Sequence, residues 1–462
     1  MSLLKRGLSL GLSLFSTGSL AQVTPKVVYG ADNRVEVYEA PSSMQVVAAS
    51  TAAMLPMNRL TLNTSETDSA ARSYTTLQNK LKEDGICADD RFADQPNPGS
   101  CSGFLVGPDL IVTAGHCTRS QSACEGNAWV FGFAVDQVTQ TAGVNIPAEN
   151  VYRCKELVNQ KLNTLEGTDH ALIRLDRVVT SAAPLKFRAN GKIEDNTEIV
   201  VIGHPMGLPT KVSDGANVRT NVHPHYFVAN LDTFGGNSGS AVFNTTDLTV
   251  EGILVRGETD YKYNVLKGCQ EVFVCADDKC RGEDVTRITD VIELAQRDSV
   301  LAAAASGDAE TVAAYLKAKG WVNMYDNARA TILAKAAAGQ QAHIVSELIN
   351  VKADVQLNDL SDKTPIHQLA GNKTLSADGE AVLASLVAAG VKVNGQDAAM
   401  NTALHLSVKL SNTRLVELLL AAGADARLSN ADGKTAMDLT DWFKPSQRKI
   451  RSLLKKALKG KI

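Results

Sequence analysis

The chain has no cysteine after residue 280, no long apolar run beyond its first 21 residues and almost no net charge. Its 47 basic and 50 acidic residues give a formal net charge of −3, so the chain lacks the basic excess typical of nucleic-acid-binding proteins. Because a transmembrane helix needs about 20 apolar residues, the sequence after residue 21 predicts none. The remaining composition, 44% hydrophobic and 21% charged, is ordinary for globular proteins, and 462 residues suffice for two or three domains.

The first 21 residues have the pattern of a secretory signal peptide. Lys5 and Arg6 give a basic start, and residues 7–20 form an apolar segment too short to span a bilayer. Ser19-Leu20-Ala21 then offers small residues for cleavage. We therefore expect a secreted or periplasmic protein whose fold begins after residue 21.

Eight cysteines fit export, because an oxidising compartment pairs them as disulfides. They are Cys87, Cys101, Cys117, Cys124, Cys154, Cys269, Cys275 and Cys280. Zinc is the alternative for the last three, but their spacing lacks a C-x2-C pair. We expect no metal and no cofactor.

The stretch from 235 to 240, Gly-Gly-Asn-Ser-Gly-Ser, puts Ser238 on a tight turn walled by glycines. Glycines adopt backbone angles closed to other residues, and they leave room for a carbonyl group to approach the hydroxyl. The N–H groups of Gly236 and Ser238 can then converge on the oxyanion that forms during acyl transfer. The turn therefore predicts a nucleophilic serine.

A serine nucleophile needs an imidazole as base, and the imidazole needs a carboxylate to fix its tautomer. His116 supplies the base, after two short strands predicted over residues 104–112. Asp169 precedes an apolar run that ends at Leu175, and Asp176 follows it. We favour Asp169 because a buried acid at that end of a strand still reaches a loop histidine.

Residues 113–117, 169–175 and 236–240 resemble the histidine, aspartate and serine segments of the chymotrypsin-like serine peptidases. The resemblance covers roughly residues 26–295 and implies an all-β fold of two six-stranded antiparallel barrels with the site between them. It implies the following roles: His116 as general base, Asp169 as the residue that orients it, Ser238 as nucleophile, and the amides of Gly236 and Ser238 as the oxyanion hole. It also implies a disulfide between Cys101 and Cys117. The Asn-Ser pair at 237–238 is closer to the bacterial branch that includes the glutamyl endopeptidases than to digestive trypsins.

Two departures from trypsin-type enzymes concern activation and specificity. Asn237 stands where those enzymes have the aspartate that pairs with a freshly cut N-terminus, and no Ile-Val-Gly-Gly segment occurs near the expected start. Asp232 stands where they hold the acid that selects Lys or Arg, although a turn-forming aspartate is the equal alternative. Our pocket candidates are Asp232, Thr233 and Arg256, with Arg256 opposing Asp232. Leu254 falls near the place of a pocket histidine in glutamyl endopeptidases, so glutamate specificity lacks support.

A segment that begins with threonine recurs in the second half. It starts at Thr331, Thr364, Thr402 and Thr435, in steps of 33, 38 and 33 residues. Five extra residues therefore lie between 364 and 390, most simply in 371–379. The period and the motif Thr-Pro-Ile-His resemble ankyrin repeats, whose helix pairs stack because one unit cannot bury its apolar face alone. The resemblance implies that His367 and His405 are structural and bond loop backbone.

These signals divide the chain into five parts. They are a signal peptide (1–21), an N-terminal extension (22–86), a peptidase domain (87–296), four to five ankyrin repeats forming an all-α solenoid (297–447), and a basic capping helix (448–462). The extension is either a propeptide or part of the first barrel, and we favour a first-barrel strand for residues 26–38. A membrane-surface role for the basic tail is the weaker alternative to capping.

The function expected from this organisation is that of a secreted serine endopeptidase whose ankyrin array docks protein substrates or partners. The alternative is a catalytically silent binding protein that uses both halves as a scaffold. Because the repeats contain no cysteine and no convergent polar set, we expect a chain ending near residue 296 still to cleave small peptides. The alternative is that the stack braces the second barrel, in which case the truncated chain would misfold or lose this activity.

Overall fold

The computed structural model describes residues 28–63, 72–142, 145–276 and 279–461, and the predicted signal peptide lies outside these ranges. The strands of the described part are β1 (Val28–Tyr29), β2 (Arg34–Glu36), β3 (Thr51–Pro56), β4 (Leu60–Asn63), β5 (Ser73–Thr76), β6 (Cys101–Gly107), β7 (Leu110–Thr113), β8 (Asn127–Phe131), β9 (Ile146–Pro147), β10 (Val151–Asn163), β11 (Thr168–Leu175), β12 (Glu198–Gly203), β13 (Lys211–Thr220), β14 (Tyr226–Ala229), β15 (Ala241–Asn244), β16 (Val250–Arg256), β17 (Tyr261–Asn264), β18 (Cys269–Val272), β19 (Val274–Cys275) and β20 (Glu283–Arg287). Its α-helices are α1 (Ser42–Ala48), α2 (Gln121–Glu125), α3 (Ile292–Ala295), α4 (Arg297–Ser306), α5 (Ala309–Lys317), α6 (Ile332–Ala338), α7 (Ala342–Asn350), α8 (Pro365–Ala370), α9 (Ala377–Ala388), α10 (Ala403–Lys409), α11 (Thr413–Ala421) and α12 (Pro445–Leu458).

Six strands close the first barrel in the order β10-β11-β7-β6-β3-β8. Successive side chains of a strand point to opposite faces, so each strand contributes to two apolar layers. Leu105 and Ile173 pack with Trp129 in one cluster. Their chain neighbours Phe104 and Leu172 belong to a second apolar cluster, which also contains residues of the second barrel and of the helices. Both faces of β6 and β11 are therefore covered, and every residue of these two strands is buried.

The second barrel has the order β12-β15-β16-β20-β14-β13 and is closed by pairing of β12 with β13. Its apolar cluster includes Val201, Val242, Leu254 and Val285, one from each of four strands. Two six-stranded antiparallel barrels followed by helices confirm the predicted fold class.

The N-terminal segment, residues 28–36, lies on the second barrel and not on the first, where we predicted it. Strand β2 pairs with β13, and β1 pairs in parallel with β19. A buried ion pair between Glu36 and Lys211, with oxygen and nitrogen 3.0 Å apart, fixes β2 in this place. It is β3, later in the same extension, that belongs to the first barrel.

The helices after residue 297 form four successive pairs, α4–α5, α6–α7, α8–α9 and α10–α11. Thr331, Thr364 and Thr402 are the N-cap residues of α6, α8 and α10. The five extra residues appear in the connection 371–376 and in α9, which has 12 residues where α7 and α11 have nine. As predicted, a ring nitrogen of His367 lies 3.0 Å from the carbonyl oxygen of Gly395.

The last threonine segment departs from the pattern. The amide and hydroxyl of Thr435 donate to Asp438 at 2.9 and 2.7 Å, and residues 436–439 form turns instead of a helix. Helix α12 follows and covers the end of the stack with Ile450 and Leu454, both 0% exposed.

The first repeat packs directly on the first barrel. Asp109, in the turn between β6 and β7, accepts a hydrogen bond from the Tyr325 hydroxyl and lies 3.3 Å from Arg174 and 3.5 Å from Arg329. Trp321 donates its indole N–H to Glu156 of β10 at 3.1 Å. The repeats are thus joined to the barrel by buried polar contacts as well as by chain connection.

Candidate active site

His116 follows strand β7 on a loop held against the β10–β11 hairpin. A Cβ atom on Gly115 would collide with the carbonyl oxygens of Lys161 and His170, so only glycine permits this close approach. Gln160 also donates its side-chain amide to the Gly115 carbonyl at 3.0 Å. The sequence Ala-Gly-His-Cys therefore fixes where the histidine loop lies.

The structure places Asp169, and not Asp176, against the histidine. Asp169 Oδ2 lies 2.8 Å from His116 Nδ1, and its Oδ1 accepts the His116 backbone N–H at 3.0 Å. These two bonds orient the ring and favour the tautomer with the proton on Nδ1. Asp176 instead accepts from the Arg153 backbone at 3.1 Å and pairs with Arg177.

Ser238 lies on the turn between β14 and β15, next to the histidine loop. Its carbonyl oxygen accepts from the Ser102 amide at 2.8 Å and lies 3.6 Å from Cys117 Sγ. In the described part of the chain, the Ser238 hydroxyl bonds the Val255 carbonyl oxygen at 3.5 Å rather than His116. A hydrogen bond to the imidazole requires a turn of this side chain, and catalytic hydrogen bonds are often formed only with substrate bound.

The backbone before Ser238 is held in a turn that only glycine can adopt without strain. Gly236 has φ 87°, and a Cβ atom there would lie 2.7 Å from the Gly207 nitrogen and 2.8 Å from the His204 carbonyl oxygen. Ser102 donates its hydroxyl to the Gly236 carbonyl at 3.0 Å. Among the described residues, the N–H groups of Gly236 and Ser238 have no acceptor, so both donors are available to a bound oxyanion.

The N-terminal segment contacts the residues that lead into the serine turn. We did not predict these contacts from the sequence. Asp232 accepts backbone N–H groups from Tyr29 at 2.6 Å and Asn33 at 2.9 Å. Burial raises the pKa of Asp232 to about 6, although these two bonds lower it. Arg34 stacks its guanidinium 3.9 Å from the ring centroid of Phe234, two residues before Gly236.

The predicted pocket residues do not form the arrangement we expected. Asp232 is occupied by the N-terminal segment, and Arg256 pairs instead with Asp284 at 2.9 Å across strands β16 and β20. Thr233 accepts the side-chain amide of Asn237 at 2.7 Å. The prediction that Arg256 opposes Asp232 is wrong, because Asp284 holds the Arg256 guanidinium and the N-terminal segment holds the Asp232 carboxylate.

A second histidine–carboxylate pair lies nearby and was not predicted. His225 Nδ1 is 2.9 Å from Asp290 Oδ2, and both residues line a cleft of about 520 Å³ with the β10–β11 hairpin. Burial raises the pKa of Asp290. No serine or cysteine lines this cleft within the described ranges.

All eight cysteines are paired. The disulfides are Cys87–Cys269, Cys101–Cys117, Cys124–Cys154 and Cys275–Cys280. Over the described ranges, the one group of three potential metal ligands is Cys101, His116 and Cys117. Two of its three members are joined in a disulfide and offer no thiolate.

Residues 101–253 match the family model of the trypsin-like peptidase domain. This span contains His116, Asp169 and Ser238. Residues 400–431, which include α10 and α11, match the ankyrin repeat family. The two matches support a chymotrypsin-like peptidase fold joined to ankyrin repeats, a protease fold with a protein-binding repeat module.

Curated proteins with similar segments are far longer than the similar region. BRCA1-associated RING domain protein 1 from Caenorhabditis elegans is 33% identical over 108 residues, 23% of this chain. The nuclear factor NF-kappa-B p105 subunit from Gallus gallus is 34% identical over 133 residues, 28% of this chain. The matched region spans only 14% and 13% of those two proteins.

The four disulfides are compatible with an extracellular or periplasmic location. None of the helices within the described ranges combines the length and apolarity that a membrane span requires.

Proposed function

We propose that this chain is a secreted serine endopeptidase that hydrolyses peptide bonds with Ser238, His116 and Asp169. The observation that carries the proposal is the 2.8 Å contact of His116 Nδ1 with Asp169 beside a turn that presents a serine and two free amides. The Asn237–Ser238 pair is closer to the bacterial branch that includes the glutamyl endopeptidases than to digestive trypsins, which supports a place for the peptidase half in that branch.

The proposed mechanism assigns one role to each group. His116 takes the proton from the Ser238 hydroxyl as that oxygen attacks the substrate carbonyl carbon, and Asp169 stabilises the resulting imidazolium. The amides of Gly236 and Ser238 donate to the carbonyl oxygen as it becomes negative. His116 then protonates the leaving amine, and water hydrolyses the acyl-enzyme by the same steps.

The ankyrin array is proposed to bind the protein substrate or a partner. Stacked repeats offer an extended contact surface, and a substrate held there has a raised effective concentration at the active site. Because both oxygens of Asp232 bind the N-terminal segment, a preference for Lys or Arg through this residue has no support.

Labelling with a fluorophosphonate and cleavage of an unbiased peptide library test the proposal together. The wild-type chain should be labelled at Ser238 and should cleave a defined subset of peptides. Ser238→Ala should abolish labelling and lower turnover by about 10⁶-fold, as loss of a serine nucleophile does in other peptidases. Ser299→Ala, at an exposed position on α4, is the matched control.

The Ser238 hydroxyl bonds the Val255 carbonyl, and this observation favours the second candidate, a catalytically silent binding scaffold. A folded wild-type chain that neither reacts with the fluorophosphonate nor cleaves any library member would establish the scaffold and reject the peptidase.

A further inference from the structure

Two large aromatic side chains are exposed beside the C-terminal helix. Trp442 is 67% exposed and Phe443 is 94% exposed, in the turn that precedes α12. Capping a repeat array requires a polar outer surface, so neither side chain serves that purpose. Adjacent exposed aromatic residues instead mark an interaction surface.

The same region carries the strongest positive charge of the molecule. Residues 444–462 contain eight Lys and Arg residues and no Asp or Glu. The net charge of the whole chain is −3. Residues 444–462 contribute +8, so the net charge of the remaining residues is −11. Within the described ranges, acidic partners lie near only two of these cations, Lys444 and Lys449, at 3.7 and 3.9 Å.

Trp442 and the cations of α12 share one face. Arg448, Arg451 and Lys455 of α12 and its C-cap residue Lys459 follow one another at helical spacings of three and four residues, which places them on one side of the helix. Arg451 lies 3.9 Å and Lys455 5.7 Å from the Trp442 ring centroid. Trp442 therefore lies beside this row of positive charges, and Phe443 is the next residue in the chain.

The opposite side of α12 is fixed to the array and is not available for binding. Ile450 and Leu454 are fully buried, and Gln447 donates its side-chain amide to the Val408 carbonyl at 3.2 Å and to the Ser411 hydroxyl at 2.9 Å. The helix thus presents its cations on a rigid support, with the aromatic turn at one end.

We infer that this end of the molecule, formed by Trp442, Phe443 and the cations of α12, binds the surface of membranes that contain anionic phospholipids. The cations are attracted to the negative headgroups, and the two aromatic rings enter the interfacial layer. The helix itself lies on the surface without inserting, because its apolar side is buried. A soluble polyanion would use the cations but would leave Phe443 in water, which is why the membrane is the favoured partner. The inference does not depend on the proposed peptidase activity.

Cosedimentation of the full-length chain with vesicles tests this inference. Binding should be strong to vesicles of phosphatidylcholine mixed with phosphatidylglycerol, weak to phosphatidylcholine alone, and reduced by added salt. The triple variant Arg448→Gln, Lys455→Gln, Lys459→Gln should lower partitioning on the order of a hundredfold, at about fivefold for each cation. Phe443→Ser should lower it roughly tenfold.

The control variants remove equivalent groups elsewhere on the surface. Leu266→Ser changes a residue that is 98% exposed on the peptidase half, and Lys155→Gln, Lys192→Gln, Lys352→Gln removes three exposed cations distant in sequence from α12. Both should bind as the wild type does, and circular dichroism should show every variant folded. Equal binding to the two vesicle types would overturn the inference. A loss with the cation variant but none with Phe443→Ser would also overturn it and identify a polyanion site.

Discussion

At the scale of single residues, one carboxylate makes both contacts that orient the candidate base. Asp169 holds the His116 ring and the His116 backbone amide with separate oxygens. The sequence alone located this pair because each member stands at the end of a strand with a strong local pattern. It did not locate His225 and Asp290, whose 2.9 Å contact joins residues 65 positions apart in segments without such a pattern.

Replacement of Asp169 by Asn should preserve side-chain volume but favour the wrong imidazole tautomer. We expect kcat on the best library peptide to fall by roughly 10⁴-fold, with the fold unchanged. Asp176→Asn is the matched control and should retain nearly full activity, because Asp176 bonds only Arg153 and Arg177 among the described residues. The opposite ranking of the two variants would show that Asp176 orients the base.

At the scale of secondary-structure elements, the N-terminal segment is the part that the sequence placed incorrectly. Short strands such as β1 and β2 carry little pattern of their own, and their position depends on partners about 200 residues away. The amides of Tyr29 and Asn33 reach Asp232 across separations of 203 and 199 residues. Local motifs predict the strands around His116, but no local rule predicts which barrel an isolated strand joins.

The buried carboxyl of Asp232 should give a distinct pH dependence of stability. Its pKa is about 6 in the folded protein, against an ordinary value of 3.8. Between these pH values the folded form holds the proton more strongly, so the free energy of unfolding falls as the pH rises. One such group contributes a slope of at most about 1.4 kcal/mol per pH unit.

Urea denaturation at a series of pH values from 4 to 7 measures this slope. Asp232→Asn cannot titrate and should flatten the curve in this interval. Asp195→Asn, at an exposed position on the same half, should leave the slope as in the wild type. An unchanged slope with Asp232→Asn would mean that another group titrates.

At the scale of the whole molecule, the peptidase half and the repeats share one apolar cluster. It includes Phe104 and Leu172 of the first barrel, Leu294 of α3 and Leu301 of α4. Each fully buried side chain of this kind contributes about 1.5–3 kcal/mol. A chain ending near residue 296 should therefore misfold, which is the alternative and not the favoured expectation from sequence. Repeat periodicity predicts the stack but not the surface on which it packs.

A milder change tests the same junction. Tyr325→Phe removes the hydroxyl that donates to buried Asp109 and should lower the free energy of unfolding by about 1.5–3 kcal/mol, as loss of a hydrogen bond to a charged group does. Urea denaturation measures the loss, and the activity per folded molecule should be unchanged. Tyr263→Phe, at a residue that is 64% exposed, should have no effect. Equal stability of the two variants would show that the contact with Asp109 contributes nothing.

The direct passage from α3 to α4 has a consequence for self-digestion. A peptidase joined to its docking module by a loose tether would cut neighbouring molecules there, because endopeptidases bind their substrates as extended strands. Here only Gln296 separates two helices, and Leu294 and Val300 on either side are buried. No extended stretch is exposed at this boundary for a second molecule to bind, so the concentrated protein should remain intact there during storage.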